Sequence, residues 1–223
     1  MNGLLWYSTR ATGEVALLFL TGVVVLGVLS AVRFGGRRVP RFVIAGMHRN
    51  LTLAGLGFLA VHAGTAILDS YAPIDLADAV VPFASAYRPI WLGLGTVAFD
   101  TLLILTVTSL LRTRIGVRRW RVLHWSAYAC WVTAFVHALG TGSDVRVPVF
   151  LLLAGVCGAV VLAVVAWRIA APGPRRRGLR AGAALTALIV LVFVIGWSAD
   201  GPLRPGWAKR AGTPARTPDS AGR

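Results

Sequence analysis

Residues 42–68 read FVIAGMHRNLTLAGLGFLAVHAGTAIL, a run in which Arg49 is the only residue with a full charge. About 20 consecutive apolar residues are enough to cross roughly 30 Å of hydrocarbon as a helix. Apolar residues cover every side of this predicted helix, which indicates an apolar environment all round. We therefore predict that the run spans a membrane. It also contains two histidines, His48 and His62.

The rest of the chain repeats this character. The 223 residues are 57% hydrophobic and 14% charged, with a mean hydropathy of +0.72, whereas roughly a quarter of the residues in a soluble domain are charged. The fold class is therefore predicted to be all-α, an integral membrane six-helix bundle with one transmembrane domain over 14–198. Residues 1–13 are predicted to form an outer lead, and 199–223, rich in Pro, Gly, Ala and Arg, a disordered tail. The other five predicted spans are 14–32, 90–111, 122–140, 147–170 and 181–198.

The formal net charge of +15 raises the possibility of nucleic-acid binding, but the positions of the charges argue against it. Of 23 basic residues, 15 lie at three alternating connections between spans. Short basic loops stay in the cytoplasm, so both termini are predicted outside, although the basic tail fits this rule less well. The arginines are predicted to anchor the topology, and some also to dock a cytoplasmic partner or anionic lipid head groups. The three groups are Arg33, Arg37, Arg38, Arg41 and Arg49; Arg112, Arg114, Arg118, Arg119 and Arg121; and Arg168, Arg175, Arg176, Arg177 and Arg180.

All four histidines lie within predicted spans, two in the second and two in the fourth. Ionisable side chains inside a bilayer are costly and indicate function. His48 and His62 are separated by about 21 Å of helical rise, and His124 and His137 by about 19.5 Å. Both helices run in the same direction, so each offers one imidazole at each of two depths. The sequence thus predicts two rungs, His48 with His124 near the cytoplasmic side and His62 with His137 near the outside.

Two imidazoles per rung suit a flat ligand gripped from both faces. Tetrahedral zinc would need three or four converging ligands, whereas haem iron needs only two from the protein. Tyr128 and Trp131 are candidates for the wall of the inner haem, and Arg121 and Arg49 for contacts to its propionates; packing and topology explain the same residues. On an ideal helix, however, thirteen residues leave His137 about 140° from His124, so the fourth helix would have to cross obliquely, over- or under-wind, or present the outer haem from a different side.

Three other features of the spans have structural interpretations. Cys130 and Cys157 both lie in spans, which argues against a disulfide framework. The glycine string at 93–98 lies in a span, so it favours helix packing over a dinucleotide fingerprint. Gly55, midway between His48 and His62, would admit either a haem face or a neighbouring helix. Asp100, the only acid within a span, has no assigned role.

The histidine pattern resembles that of the ferric reductase-like transmembrane domain superfamily. The run 120–124, WRVLH, followed by Tyr128 and by His137-Ala138, looks like its second histidine helix, and Met47-His48-Arg49 with Val61-His62-Ala63 looks like its first. The resemblance covers 14–198 and implies two stacked haem b groups, the inner held by His48 and His124 and the outer by His62 and His137. It also implies the 13-residue offset. Many relatives continue into a flavin and nicotinamide domain, whereas this chain resembles the single-domain members that need a separate donor.

These observations predict a multi-pass protein of the cell membrane that passes electrons across the bilayer, an oxidoreductase subunit rather than a nucleic-acid binder. Its donor would be a separate flavin reductase or a quinol on the cytoplasmic side, and its acceptor would lie outside. Two alternatives remain open. One is a non-enzymatic membrane scaffold whose histidines join helices, and the other is a small proton or metal transporter.

Overall fold

The computed structural model describes residues 3–35, 39–70, 72–141, 145–171 and 177–212. This part of the chain is helical, with turns and loops between helices and no strand. Six helical segments are long and apolar enough to span a membrane, with 117–141 counted as one. The predicted all-α six-helix membrane bundle is therefore confirmed. The helices are α1 Gly3–Ala31, α2 Arg41–Leu68, α3 Pro89–Leu110, α4 Arg112–Ile115, α5 Val117–His124, α6 Ser126–Thr141, α7 Pro148–Ala170, α8 Arg177–Asp200 and α9 Trp207–Arg210.

The bundle is built from two close helix pairs. Helix α1 packs along α2, and α3 packs along α6. Gly22 on α1 faces Leu51, and Gly55 on α2 faces Phe19, so small residues bring the first pair together. Helix α7 covers α1, and α8 contacts α7 at the periphery, where none of its residues is buried. The buried core lies where α1, α3, α6 and α7 meet, around Leu17, Leu20, Val24, Ala98, Leu102, Leu105, Cys130, Trp131, Cys157 and Val161.

Helix α1 begins at Gly3, so the predicted outer lead over 1–13 is wrong for the residues that are described. The polar residues of this segment do not interrupt the helix, because their hydroxyls bond carbonyls of the preceding turn. Thr9 Oγ1 donates to Leu5 O at 3.0 Å, and Thr12 Oγ1 donates to Ser8 O at 2.6 Å. The first span is therefore longer than predicted, and its added turns reach the outer histidine pair.

The fourth span is interrupted at Trp125, between α5 and α6. Here the N–H of Trp125 donates to Val122 O, and the N–H of Tyr128 donates to Trp125 O, each at 3.2 Å. These bonds reach back three residues, as in a 3₁₀ helix, which turns about 20° more per residue than an α-helix. Such over-winding reduces the predicted 140° offset between His124 and His137. The predicted fourth span is present, from 117 to 141, and the over-winding at Trp125 is one of the ways in which the histidine offset was expected to be reconciled.

Part of the predicted disordered tail is folded against the bundle. Pro202 and Ala211 are buried, and the indole of Trp207 donates to Gly140 O at 2.8 Å. The N–H of Arg88 donates to Gly212 O at 3.1 Å. The prediction of disorder over 199–223 is therefore wrong for 199–212, because one tryptophan buries enough apolar surface to fix a short polar segment. Residues 213–223 lie outside the described part.

The connection between α2 and α3 folds over one end of the bundle, where Thr96 Oγ1 donates to Asp78 O at 2.8 Å. We call this the outer end, which bears His62 and His137, and the opposite end the inner end. Which of the two ends faces the cytoplasm stays a prediction.

At the inner end, Arg41 donates to Arg33 O and Arg180 to Ala171 O, so these guanidinium groups also close the ends of helices. Arg37, Arg38, Arg175, Arg176 and Asp144 lie outside the described residues.

Candidate functional site: two histidine pairs

The four histidines meet as two pairs. The ring centroids of His48 and His124 are 6.2 Å apart, and those of His62 and His137 are also 6.2 Å apart. The ring planes cross at 67° and 85°, so neither pair is stacked face to face. The structure thus brings together the residues that the sequence assigns to each rung.

Helix α2 carries His48 and His62, whereas His124 ends α5 and His137 lies on α6, and α2 does not pack closely along either of these two helices. Helix α2 packs along α1, and α6 packs along α3. The imidazole side chains approach each other across the interval between these backbones. At the outer pair a cavity borders both rings, as a flat ligand gripped from both faces requires.

Three of the four imidazoles are oriented by backbone carbonyls. His48 Nδ1 lies 3.0 Å from Val23 O, His62 Nδ1 lies 2.7 Å from Thr9 O, and His137 Nδ1 lies 2.8 Å from Trp91 O. A carbonyl can only accept, so Nδ1 carries the proton in each ring and Nε2 is left with its lone pair. Metal-ligating histidines commonly donate their other ring N–H in this way, which fixes the ring and makes the ligating nitrogen more basic.

A glycine follows each of these carbonyls by one helical turn, at Gly27, Gly13 and Gly95. A Cβ at Gly95 would lie 2.5 Å from the His137 ring, one at Gly13 would lie 2.9 Å from the His62 ring, and one at Gly27 would lie 3.4 Å from the His48 ring. The glycines therefore make room for the imidazoles against the neighbouring helix. We call each carbonyl with its glycine a ring seat.

The ring seats were not found by inspection of the sequence, yet α1 contains a signal for two of them. Gly13 and Gly27 are 14 residues apart, the same spacing that separates His48 and His62. Two antiparallel helices that pack along their length place such equal spacings opposite each other. A search for glycine pairs that match the histidine spacing would therefore have suggested α1 as the partner of α2.

His124 has no ring seat. Its Nδ1 is buried and has no hydrogen-bond partner within the described part of the chain. Its ring instead stacks on Trp120, with centroids 4.9 Å apart and planes at 28°. The Trp120 indole donates to Ser109 Oγ at 3.1 Å, which ties the stack to α3. His124 is also the last residue of α5, directly before the interruption at Trp125.

The outer pair borders a cavity of about 270 Å³. Apolar residues of α1, α2, α3 and α6 form most of its lining, which suits the apolar body of a macrocycle. Polar groups reach it from the covering connection and from the outer part of α1. They include Arg10, Glu14, Asp69, Asp78 and Tyr87.

The residues that the sequence placed around the inner pair have separate contacts. Trp131 is buried in the core, stacks on Phe135 and donates its indole N–H to Thr21 Oγ1 at 3.1 Å. Tyr128 accepts a hydrogen bond from Arg168, at 2.7 Å. Arg121 has an exposed side chain, as does Arg49. Trp131 thus has packing contacts in the core, and the predicted roles of Trp131, Tyr128 and Arg121 toward a bound group stay predictions.

The glycines, cysteines and acid that the sequence analysis noted within the spans lie in the helix packing of the bundle. The glycine string lies within α3, where Gly93 meets Phe83 and Gly95 meets His137. Gly55 faces Phe19 of α1, so it admits a neighbouring helix. Cys130 and Cys157 are free and buried, and Cys130 Sγ donates to Ala98 O. Asp100 is partly buried in α3 and has no hydrogen bond or ion pair among the described residues.

The ring separations fit one ion held between two imidazoles. A first-row metal–imidazole bond is about 2.0–2.1 Å and the nitrogen lies roughly 1.1 Å from the ring centroid, so two opposed Nε2 ligands would place the centroids about 6.2–6.4 Å apart. Both pairs have this separation. No group of three or more His, Cys, Asp or Glu side chains suited to a metal occurs among the described residues, so a tetrahedral protein site has no support there.

No family model, curated protein or solved structure matches the chain.

Proposed function

We propose that this protein is a transmembrane di-haem b-type cytochrome that passes electrons between the two sides of a membrane. The observation that carries the proposal is the pair of 6.2 Å imidazole separations, which occur at two depths of one bundle. Each separation matches the one expected for a single iron between two opposed Nε2 atoms. In this reading His48 and His124 hold the inner haem, and His62 and His137 hold the outer one.

The surroundings of the rings support a macrocycle rather than a bare ion. The outer cavity of about 270 Å³ lies beside His62 and His137, and most of the residues that line it are apolar. The ring seats hold Nδ1–H on carbonyls, so these rings are presented as neutral ligands with Nε2 free. When bound, each haem would accept and release one electron at its iron. The chain's own part is to fix the ligand rings, to exclude water from the space between them and to set the separation between the two sites.

The different depths of the two histidine pairs support electron transfer across the bilayer. The 14 residues from His48 to His62 separate the rungs by about 21 Å of helical rise, most of the thickness of the hydrocarbon. One histidine pair would therefore lie near each surface. We propose a separate flavin reductase or quinol as donor on the inner side, an acceptor on the outer side, and the cell membrane as the location.

A second candidate function has one observation in its favour. Each Nδ1 hydrogen bond joins a histidine to a different helix, His48 and His62 to α1 and His137 to α3. A membrane scaffold would use histidines in this way. A scaffold, however, gives no reason for His48 and His124, and again His62 and His137, to lie at the same ring separation of 6.2 Å without a hydrogen bond between them. A proton or metal transporter would want acids along a path, and Asp100 is the only acid within a predicted span.

The proposal is tested by purifying the full chain from cells supplied with ample haem. We expect a reduced-minus-oxidised b-type spectrum and about two haems per chain. A colourless protein that is monodisperse and helical would overturn the proposal and favour the scaffold. Replacement of His137 by Gln distinguishes the two further, because a histidine that only joins α6 to α3 tolerates Gln whereas a haem ligand does not.

A further inference from the structure

The segment that follows the last span contacts the outer histidine site through one side chain. Trp207 lies in α9, beyond all six spans, and its indole N–H donates to Gly140 O at 2.8 Å. Gly140 lies on α6, one turn after His137. Trp207 is therefore bonded to the helix that carries an outer ligand.

The same indole also packs against the helix that supplies the ring seat of that ligand. The Trp207 and Trp91 centroids are 5.2 Å apart, and Trp91 stacks on Trp197 at 4.9 Å with planes at 28°. Trp207 meets Trp197 edge-on at 6.1 Å, so the three indoles form one cluster. The backbone carbonyl of Trp91 accepts the Nδ1 proton of His137.

The contact between α3 and α6 at this cluster is very close. A Cβ at Gly140 would lie 2.6 Å from the Trp91 ring, so that ring lies directly on the α6 backbone. The residues before α3 are tied in as well, since Arg88 N–H donates to Gly212 O and the Arg88 guanidinium donates to Thr141 O. The C-terminal segment thus forms hydrogen bonds with Arg88, the residue before α3, and with Gly140 in the last turn of α6.

We propose that Trp207 is a positioning residue of the outer haem site, which sets the orientation of the His137 ring through Trp91. This rests on the proposed function. The His137 ring plane is fixed by one carbonyl, and that carbonyl belongs to the residue whose side chain Trp207 covers. Loss of the indole frees the first turn of α3 relative to α6, so the carbonyl shifts and the ring turns with it. The inner pair lies about 20 Å away along the helices and has no contact with this cluster.

The orientation of axial imidazoles is read directly by electron paramagnetic resonance of oxidised low-spin haem. The unmodified chain should give two low-spin signals, and the one that disappears in His62→Ala belongs to the outer haem. In Trp207→Ala we expect that signal to shift or broaden, while the inner signal keeps its position. Trp207→Phe keeps a ring against Trp91 but loses the bond to Gly140 O, so a smaller shift of the same signal is expected.

Trp167→Ala is the matched control, since Trp167 lies at the inner end of α7 and stacks edge-on against Phe34. It removes an indole from the same protein and should leave the outer signal in place. Two haems with an unchanged outer signal in Trp207→Ala, or equal changes in both signals, would overturn the inference and leave the proposed function intact. Should Trp207→Ala not fold, Trp207→Phe decides: an unmoved outer signal there overturns the inference. Absence of any haem from the unmodified chain would instead overturn the proposed function.

Discussion

The inner and outer histidine pairs have the same ring separation but different supports. Both outer rings donate Nδ1–H to carbonyls, at Thr9 and Trp91, and both lie against glycines. Of the inner rings, His48 has such a seat, while His124 is held only by the stack on Trp120 at the end of α5. The outer geometry is therefore set by backbone contacts between helices, and half of the inner geometry is set by a side chain.

The difference teaches that equal ligand spacing does not imply equal rigidity. A backbone carbonyl moves only when a helix moves, whereas a stacked indole can change its rotamer. The outer pair is further covered by the α2–α3 connection and the C-terminal segment. We therefore expect loss of a histidine side chain to disturb helix packing more at the outer pair than at the inner pair. At the inner pair we expect the geometry to depend on the neighbouring aromatic side chain, Trp120.

The largest expected effect comes from loss of one ligand in each pair. His137→Ala should remove the outer haem and His124→Ala the inner one, each lowering the haem content from about two to about one per chain. Pyridine haemochrome assay against protein concentration measures this ratio. The assignment of rungs is wrong if both haems are lost together in either variant, or if His124→Ala removes the same signal as His62→Ala.

The next largest effect is expected when the glycine of a ring seat is replaced by alanine, and its size should depend on how close that glycine lies to the imidazole ring. Gly95→Ala should weaken haem retention most, Gly13→Ala less and Gly27→Ala least, in the order 2.5, 2.9 and 3.4 Å of the expected Cβ approach. Overpacking of this kind costs about 1–3 kcal/mol. Gly57→Ala is the matched control on α2, because nothing lies within 4 Å of its Cβ position. The temperature at which haem absorbance is lost ranks the variants. If Gly95→Ala loses haem at the same temperature as Gly57→Ala, the glycine does not make room for the His137 ring.

The smallest expected effect concerns the support of His124. Trp120→Ala removes the stack on that ring and the bond to Ser109, a loss of about 0.5–1.5 kcal/mol for an aromatic pair. We expect the inner low-spin signal to broaden while the outer one is unchanged. Trp120→Phe keeps the stack and should restore most of the inner signal. A change confined to the outer signal would contradict the comparison between the two sites.

Part of the fold and of the candidate site could be predicted from particular residues. The six spans and the two rungs follow from local properties, because hydrophobic length and helical rise are set along one helix at a time. The 13-residue spacing of His124 and His137 could not be reconciled in this way, since the interruption at Trp125 depends on where α5 and α6 pack. The roles of Trp131, of Tyr128 toward Arg168 and of Trp207 were likewise not accessible, because each partner lies on another helix.

By itself the sequence determined that this is a six-span membrane protein with two imidazoles at each of two depths. It also indicated, through the charges of alternate connections, which end should face the cytoplasm. Only the tertiary structure decided which carbonyl and which glycine meet each ring, that His124 has neither, and that residues 201–212 close the outer end. The physical reason is that burial in lipid depends on composition alone, whereas the orientation of a ring depends on the atoms of a second helix, whose register against the first is set by the packing of the whole bundle.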